Sequence, residues 1–447
     1  MVVKSNGVTR DWRRSIELHG KQSGSRGKSP LVPSLGHNVA VGIRGHVVIA
    51  HLFVLGGKRA MRLLPAMAMA LVLARPAGPV FRDTQASPPS PTYAVHIPAL
   101  RIAQMSPDEK YLAALVVHWP RGAPPSAELQ VWDIRRHTLL QAHSLPAPES
   151  RPGHPHGTTY LRYTSDGQLL IVYTGRDSLH VLRASDLEEV RRVQIPAHAD
   201  INGFEVSPTG HRVALCMSGD IRIYHLDSGE EIRSWRINPV SEFRISELLQ
   251  VHSRPDKPGL AWRGDGAVLA VSVPDNSPCL RGGGTIYLFD FTSNQGPKTF
   301  RVPLSPSSIA LGTGNALYVA SDTCGGFFAH WTLDLPIYDS VSGRETGKIP
   351  AGKVGFRGYI AISANKQMLL AHADREKTTF AGFEESLDIT DEQWQVWELS
   401  AGKLVWSFPA TAHESMEKYP FLSSTGHFLC VNRAEDLEIF TVPMPEK

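Results

Sequence analysis

The chain has 447 residues, 42% hydrophobic and 20% charged, proportions that exclude wholesale disorder. Its formal charge of +3 averages two unlike regions: residues 1–86 hold 13 Lys/Arg against 3 Asp/Glu, and residues 87–447 hold 33 against 40. The body is thus mildly acidic, which excludes nucleic-acid binding through a general electrostatic field.

Residues 61–74 read Met-Arg-Leu-Leu-Pro-Ala-Met-Ala-Met-Ala-Leu-Val-Leu-Ala, a basic residue followed by a short apolar run. That is the layout of a secretory signal peptide, and the run is shorter than the ~20 residues a membrane-spanning helix needs. Ala74, Ala77 and Ala86 are candidate cleavage points, so residues 61–86 are expected to be the signal segment. A signal peptide works at a chain start, so translation is expected to begin at Met61 and residues 1–60 to be a non-native extension, disordered if present. The codons of Gly56-Gly57-Lys58 fit this, since they form a purine-rich stretch like a bacterial ribosome-binding site. The alternatives are a genuine basic tail, or a membrane anchor joining Val47–Leu55 to the later apolar run across Lys58, Arg59 and Arg62. Ser87–Thr92 then reads as an extended lead-in to a body spanning 87–447.

One unit recurs through residues 93–447. A short apolar strand meets a tight turn and a second apolar strand. The turns lie at Ser106–Glu109, Ser165–Gly167, Ser207–Gly210, Gly264–Gly266, Gly312–Asn315, Ser363–Lys366 and Ser423–Gly426. Ser, Pro, Asp, Asn and Gly favour turns for local backbone reasons. The strands that follow, such as Tyr111–Val117, Arg212–Met217 and Phe428–Asn432, are rich in β-formers. A third strand often ends in an aromatic and a polar residue, as in Leu129–Asp133, Ile221–His225, Ile286–Asp290 and Trp394–Glu398, with weaker versions at Leu179–Leu182, Leu335–Asp339 and Leu437–Phe440. A further turn and a fourth strand, as in Glu231–Ile237 and Lys403–Phe408, complete the unit.

The Ser-Pro-Asp-type turns, with Val131-Trp132-Asp133 and Val396-Trp397-Glu398, resemble WD40-like β-propellers of a bacterial, exported type. Only Trp132-Asp133 is the literal dipeptide, and the Gly-His pair that opens a WD40 unit is absent in register. The resemblance implies an all-β fold, a seven-bladed propeller of four-stranded antiparallel blades. Stacked blades bury a continuous core that one blade cannot, and a closed ring removes free sheet edges. The last unit ends at its third strand, Leu437–Val442, while Thr92–Pro98 precedes the first unit without a partner. Residues 92–98 are therefore expected to supply the outer strand of the last blade.

In such a ring the remaining connections open on one face: His118–Ala127, Asn238–Pro258, Asp275–Gly284, Ser321–Leu333 and Ala373–Gln393. Long loops on a rigid scaffold are where binding concentrates. Trp119, Phe327, Phe328, Trp331, Phe380, Phe383 and Trp394 lie there and are the candidate partner-binding residues; aromatics supply much of the energy at protein interfaces. The alternative for each is that it plugs its own loop or fills a position between blades. Glu384, Glu385, Asp388, Asp391 and Glu392 form an acidic stretch without calcium-loop spacing, which reads as a solvated loop. Val240–His252 has nearly helical apolar spacing, fitting a short capping or docking helix.

Cys216 and Cys430 sit inside strands as small apolar residues. Cys279 and Cys324 fall in corresponding loops of consecutive units, and an exported protein can keep a Cys279–Cys324 disulfide. No Cys-x-x-Cys, His-Glu-x-x-His or Gly-x-Ser-x-Gly is present, Gly282–Gly284 lacks the lysine of a phosphate loop, and His154 and His156 form a pair without acidic neighbours. No catalytic residue, metal or cofactor is assigned. The expected function is a periplasmic or secreted protein-binding platform without stable membrane insertion. The alternative is an exported propeller hydrolase or lyase with residues scattered around the central channel.

Overall fold

The computed structural model describes residues 40–43, 46–49, 90–120, 122–148, 158–196, 199, 201–217, 219–237, 259–274, 283–293, 295–321, 334–351, 354–381, 384–410, 420–433 and 436–444. For 40–43, 46–49, 357 and 375–390 the backbone alone is described. The chain divides into two units, residues 1–84 and 85–447. In the first, Ala40–Ile43 pairs antiparallel with His46–Ile49. The second contains seven four-stranded antiparallel sheets and, among the described residues, no helix. The segment Val240–His252 lies outside the described residues.

Blade 1 runs through Leu100–Met105, Tyr111–His118, Ser126–Asp133 and Thr138–Leu145, from the inner strand outward. The inner strands of blades 2 to 7 are Tyr160–Tyr163, Ile201–Val206, Leu260–Trp262, Pro306–Leu311, Gly355–Ile362 and Phe421–Leu422. Each blade but the last takes its four strands in chain order. The last takes its outer strand, Tyr93–His96, from the start of the body, and this strand pairs with Asp436–Thr441. The expected closure is present.

The core explains why the ring forms. Successive strand residues face opposite sides, so each blade feeds two cores. In Arg212–Met217, Val213, Leu215 and Met217 pack with blade 2, whereas Ala214 and Cys216 pack with blade 4. Seven apolar clusters result, one at each junction between neighbouring blades. The junction of blades 7 and 1 is built like the others, with Val95, Ile97, Leu437 and Ile439 against Leu100, Leu112 and Val116.

The first turns have a common lock. Ser106, Thr164, Ser207, Ser363 and Ser423 are all at most 4% exposed. Each hydroxyl accepts the backbone N–H of the residue opening the second strand, for example Met368 N to Ser363 Oγ at 3.0 Å. A buried hydroxyl thus satisfies a buried amide that the turn would otherwise strand.

One feature is not legible in residue types. In five blades the outer strand carries a bulge against the third, leaving Leu140, Val190, Ile232, Thr346 and Val405 without a directly opposed partner. Bulges twist an edge away from flat pairing and so protect outer strands from adding to another chain. Leu140, Val190 and Ile232 are among the exposed large apolar residues.

Candidate functional site: the loop face and the central channel

Antiparallel blades place the first and third connections on one face and the second and the interblade connections on the other. The first face is stitched from blade to blade. Ser165 Oγ donates to the Pro208 carbonyl; Asn365 Nδ2 donates to the Thr425 carbonyl at 2.8 Å, and Thr425 N donates to Glu109 Oε1 at 2.9 Å. Ser424 Oγ completes the step into blade 1 by donating to the Pro107 carbonyl at 2.5 Å. These bonds join blade 2 to 3, blade 6 to 7 and blade 7 to 1.

The opposite face carries the long connections. The hairpin of blade 1 runs from His118 to Ser126, and Trp119 at its start is half-buried against the cluster between blades 1 and 2. Phe327, Phe328, Trp331 and Phe383 lie outside the described residues, as do Cys279, Cys324, His154 and His156. Phe380 lies on the second strand of blade 6. Trp394 is 2% exposed, 5.8 Å from the Tyr359 ring and 4.8 Å from the His372 imidazole. It packs with Phe408 and Phe440 between blades 6 and 7, which places it in the core and away from a partner's reach.

The expected loop Ala373–Gln393 takes a different form. Met368–Ala381 and Glu384–Glu398 are continuous strands of 14 and 15 residues, paired from Met368↔Glu398 to Ala381↔Glu384. The segment is a long β-hairpin. A register shift marks where it leaves the blade, beyond Ala373↔Gln393, and Asp391 there has φ 55°. His372 Nε2 and Glu392 Oε1, 2.9 Å apart, hold the base of the hairpin together.

The inner strands enclose the central channel, and neighbouring blades are stapled along it. Gln104 Oε1 accepts Tyr163 N at 2.8 Å, Tyr160 Oη donates to the Ile201 carbonyl at 3.2 Å, and Ser308 Oγ donates to the Ile360 carbonyl at 3.1 Å. Three charges sit among these groups. Arg162 Nε lies 3.6 Å from Glu205 Oε2, joining the inner strands of blades 2 and 3, and about a third of each side chain (33%) is exposed. Lys366, in the first turn of blade 6, is felt electrostatically by Glu205. Blades 3 and 6 are not neighbours, so the two charges act on each other across the space the ring encloses. Burial pushes the Glu205 carboxyl above its ordinary value, with Arg162 and Lys366 pulling it back, and burial pushes the Lys366 ammonium down.

Sequence reasoning did not single out this trio. A lone charge within an apolar inner strand, as in Leu161-Arg162-Tyr163 and Phe204-Glu205-Val206, is the signal that could have found two of its members. Among the described residues, no group of three His, Cys, Asp or Glu could hold a metal ion. No described helix is long and apolar enough to cross a membrane.

No protein-family model matches the chain, and no curated protein matches it. Among solved structures, a chain of the "Crystal Structure of Mitotic Checkpoint Complex" is similar, with a TM-score of 0.52 and 17% identity over 83% of this chain and 97% of that one. At that identity the likeness is one of fold alone.

Proposed function

We propose that the chain is an exported, non-catalytic protein-binding platform that works through the long-connection face of its propeller. The observation that carries this reading is the asymmetry between the faces: one carries short turns, several bonded from blade to blade, while the other carries the long connections and the blade 6 hairpin. A rigid scaffold with variable connections on one side suits recognition. The similar solved chain comes from a complex, which is compatible with a binding role. Export rests on the basic-then-apolar order of residues 61–74, and a binding partner of protein nature on the aromatic content of the loops.

The test compares the full chain with a Trp331→Ala, Phe327→Ala, Phe383→Ala variant, first in crosslinked cell envelopes and then with the purified captured protein. Binding by the parent and loss by a variant with an unchanged unfolding midpoint supports the reading. Equal binding by both, or none by either, rejects it. N-terminal sequencing of the exported form tests the start, and a mature N-terminus before Met61 would contradict the signal assignment.

The second reading, an exported hydrolase or lyase, has one observation behind it: Arg162, Glu205 and Lys366 gather charge at the channel. Turnover of esters or glycosides by the parent, abolished by Glu205→Gln, would favour it over the platform.

A further inference from the structure

The blade 6 hairpin extends beyond the sheet that bears it. The inner strand stops pairing at Gly355↔Asp374, and the outer strand starts at Gln393↔Pro409. From Arg375↔Thr390 to Ala381↔Glu384, seven consecutive residue pairs are flanked by no other strand among the described residues. This two-stranded arm is roughly 20 Å long at ~3.4 Å per residue. An unflanked edge offers a row of backbone donors and acceptors to any extended chain.

Other outer edges in this molecule are dealt with by bulges in five blades. No register shift interrupts the arm between Arg375 and Ala381, so its edges keep a regular, pairable backbone. The two edges also differ in charge. Residues 384–390 read Glu-Glu-Ser-Leu-Asp-Ile-Thr, three acids and no base, while 375–381 read Arg-Glu-Lys-Thr-Thr-Phe-Ala, two bases and one acid. Charge placed only to keep an edge soluble would guard both sides. Here it is concentrated on one, which selects a partner by sign while leaving the ladder open. A second copy presenting the same acidic edge would be repelled.

We propose that the free edge of Glu384–Thr390 docks an extended, positively charged segment of a partner protein, which joins the arm as a third strand. Backbone hydrogen bonds would supply the affinity, and the acids the preference for Lys and Arg. The inference rests on the platform reading and names the chemistry of the partner. It converts the acidic stretch from a solvated loop into one side of a strand-addition site.

The probe is a short fluorescent peptide in which Lys alternates with Thr and Val, used with the full chain. Two sister peptides accompany it, one with Glu for Lys and one N-methylated at alternate residues. The Lys peptide should bind the parent, and N-methylation should weaken it by at least about tenfold, because it removes backbone donors without touching charge. The Glu peptide should not bind. Replacing residues 375–391 by an Asn-Gly turn should abolish binding, and Glu384→Lys, Glu385→Lys, Asp388→Lys should transfer preference to the Glu peptide. Equal binding of the N-methylated peptide, no binding of the Lys peptide, or unchanged preference in the charge-reversed protein would overturn the proposal. An envelope partner retained by the arm-less protein but lost on the loop-aromatic variant would overturn the arm and leave the platform standing.

Discussion

Val95 faces Leu437 across the seam of the ring, the start of the folded body paired with its end, and both are buried at 3% and 0% exposure. Beside them His96 Nδ1 and Asp436 Oδ1 are 2.9 Å apart, 340 residues separated in sequence. The first contact excludes water and the second is exposed, so their energies differ. Val95→Ala should cost about 2 kcal/mol through lost burial and an unfilled space between blades 7 and 1. His96→Ala should cost under about 1 kcal/mol. Urea unfolding measures both. Deleting 90–98 should abolish the cooperative transition, because Asp436–Thr441 then becomes an open edge beside a half-built core; a soluble deletion protein with the parent's midpoint would contradict closure.

The turn lock gives a second prediction. Ser363 Oγ accepts Met368 N at 3.0 Å and donates to Asn365 Oδ1 at 2.6 Å, with the serine 1% exposed. Ser363→Ala leaves a buried amide without its acceptor and should cost about 1–3 kcal/mol. Ser400 Oγ likewise donates to a side-chain oxygen two residues away, here the carboxylate Oε1 of Glu398, but at an exposed position. Ser400→Ala should therefore shift the unfolding midpoint far less, and equal shifts would show that the buried hydroxyl has no special part in the turn.

Trp394 distinguishes folding from recognition. With its ring packed between blades 6 and 7, Trp394→Ala should cost about 3–5 kcal/mol. In protein that remains folded at low temperature, affinity for a captured partner should be unaffected. Lost affinity at an unchanged midpoint would return this residue to the binding face.

The repeat was legible because its cues are local. A Ser-Pro-Asp turn or an Asp-Ser-Gly turn dictates its own backbone, and seven of them in order leave few architectures. The seam was legible by subtraction, from a strand without a partner at one end and a missing strand at the other. The outer-strand bulges were not, since Leu140, Val190 and Ile232 are ordinary apolar strand residues and only the pairing register reveals the bulge. The arm was hidden by chemistry: Glu and Asp disfavour strands, so Glu384–Glu392 reads as a loop until its pairing with Arg375–Ala381 is seen. Trp394 stands where the third strand and the expected loop meet, and the hairpin's length, invisible in residue types, carries the strand on past it. The channel trio was beyond reach because Arg162, Glu205 and Lys366 act on one another only when three separate blades close the ring.

That trio carries the last prediction. Burial raises the Glu205 carboxyl above its ordinary 4.5, so the folded chain holds this proton more tightly than the unfolded chain does. The sign follows from linkage: below about pH 4.5 both states are protonated and no penalty exists, and as pH rises toward the folded value stability falls, then stays lower. Lys366, lowered from its ordinary 10.5, acts at the other end, its penalty relieved only as pH rises toward that value. At neutral pH both groups therefore weigh against the fold. Glu205→Gln removes the first penalty but takes a partner from Arg162. With a third of each side chain in contact with water, the lost pair is worth under about 1 kcal/mol. Urea midpoints followed from about pH 4 upward should decline in the parent through this window, and Glu205→Gln should flatten that part of the profile. Matching profiles for the two proteins would mean that Glu205 titrates in the channel as it does in the unfolded chain.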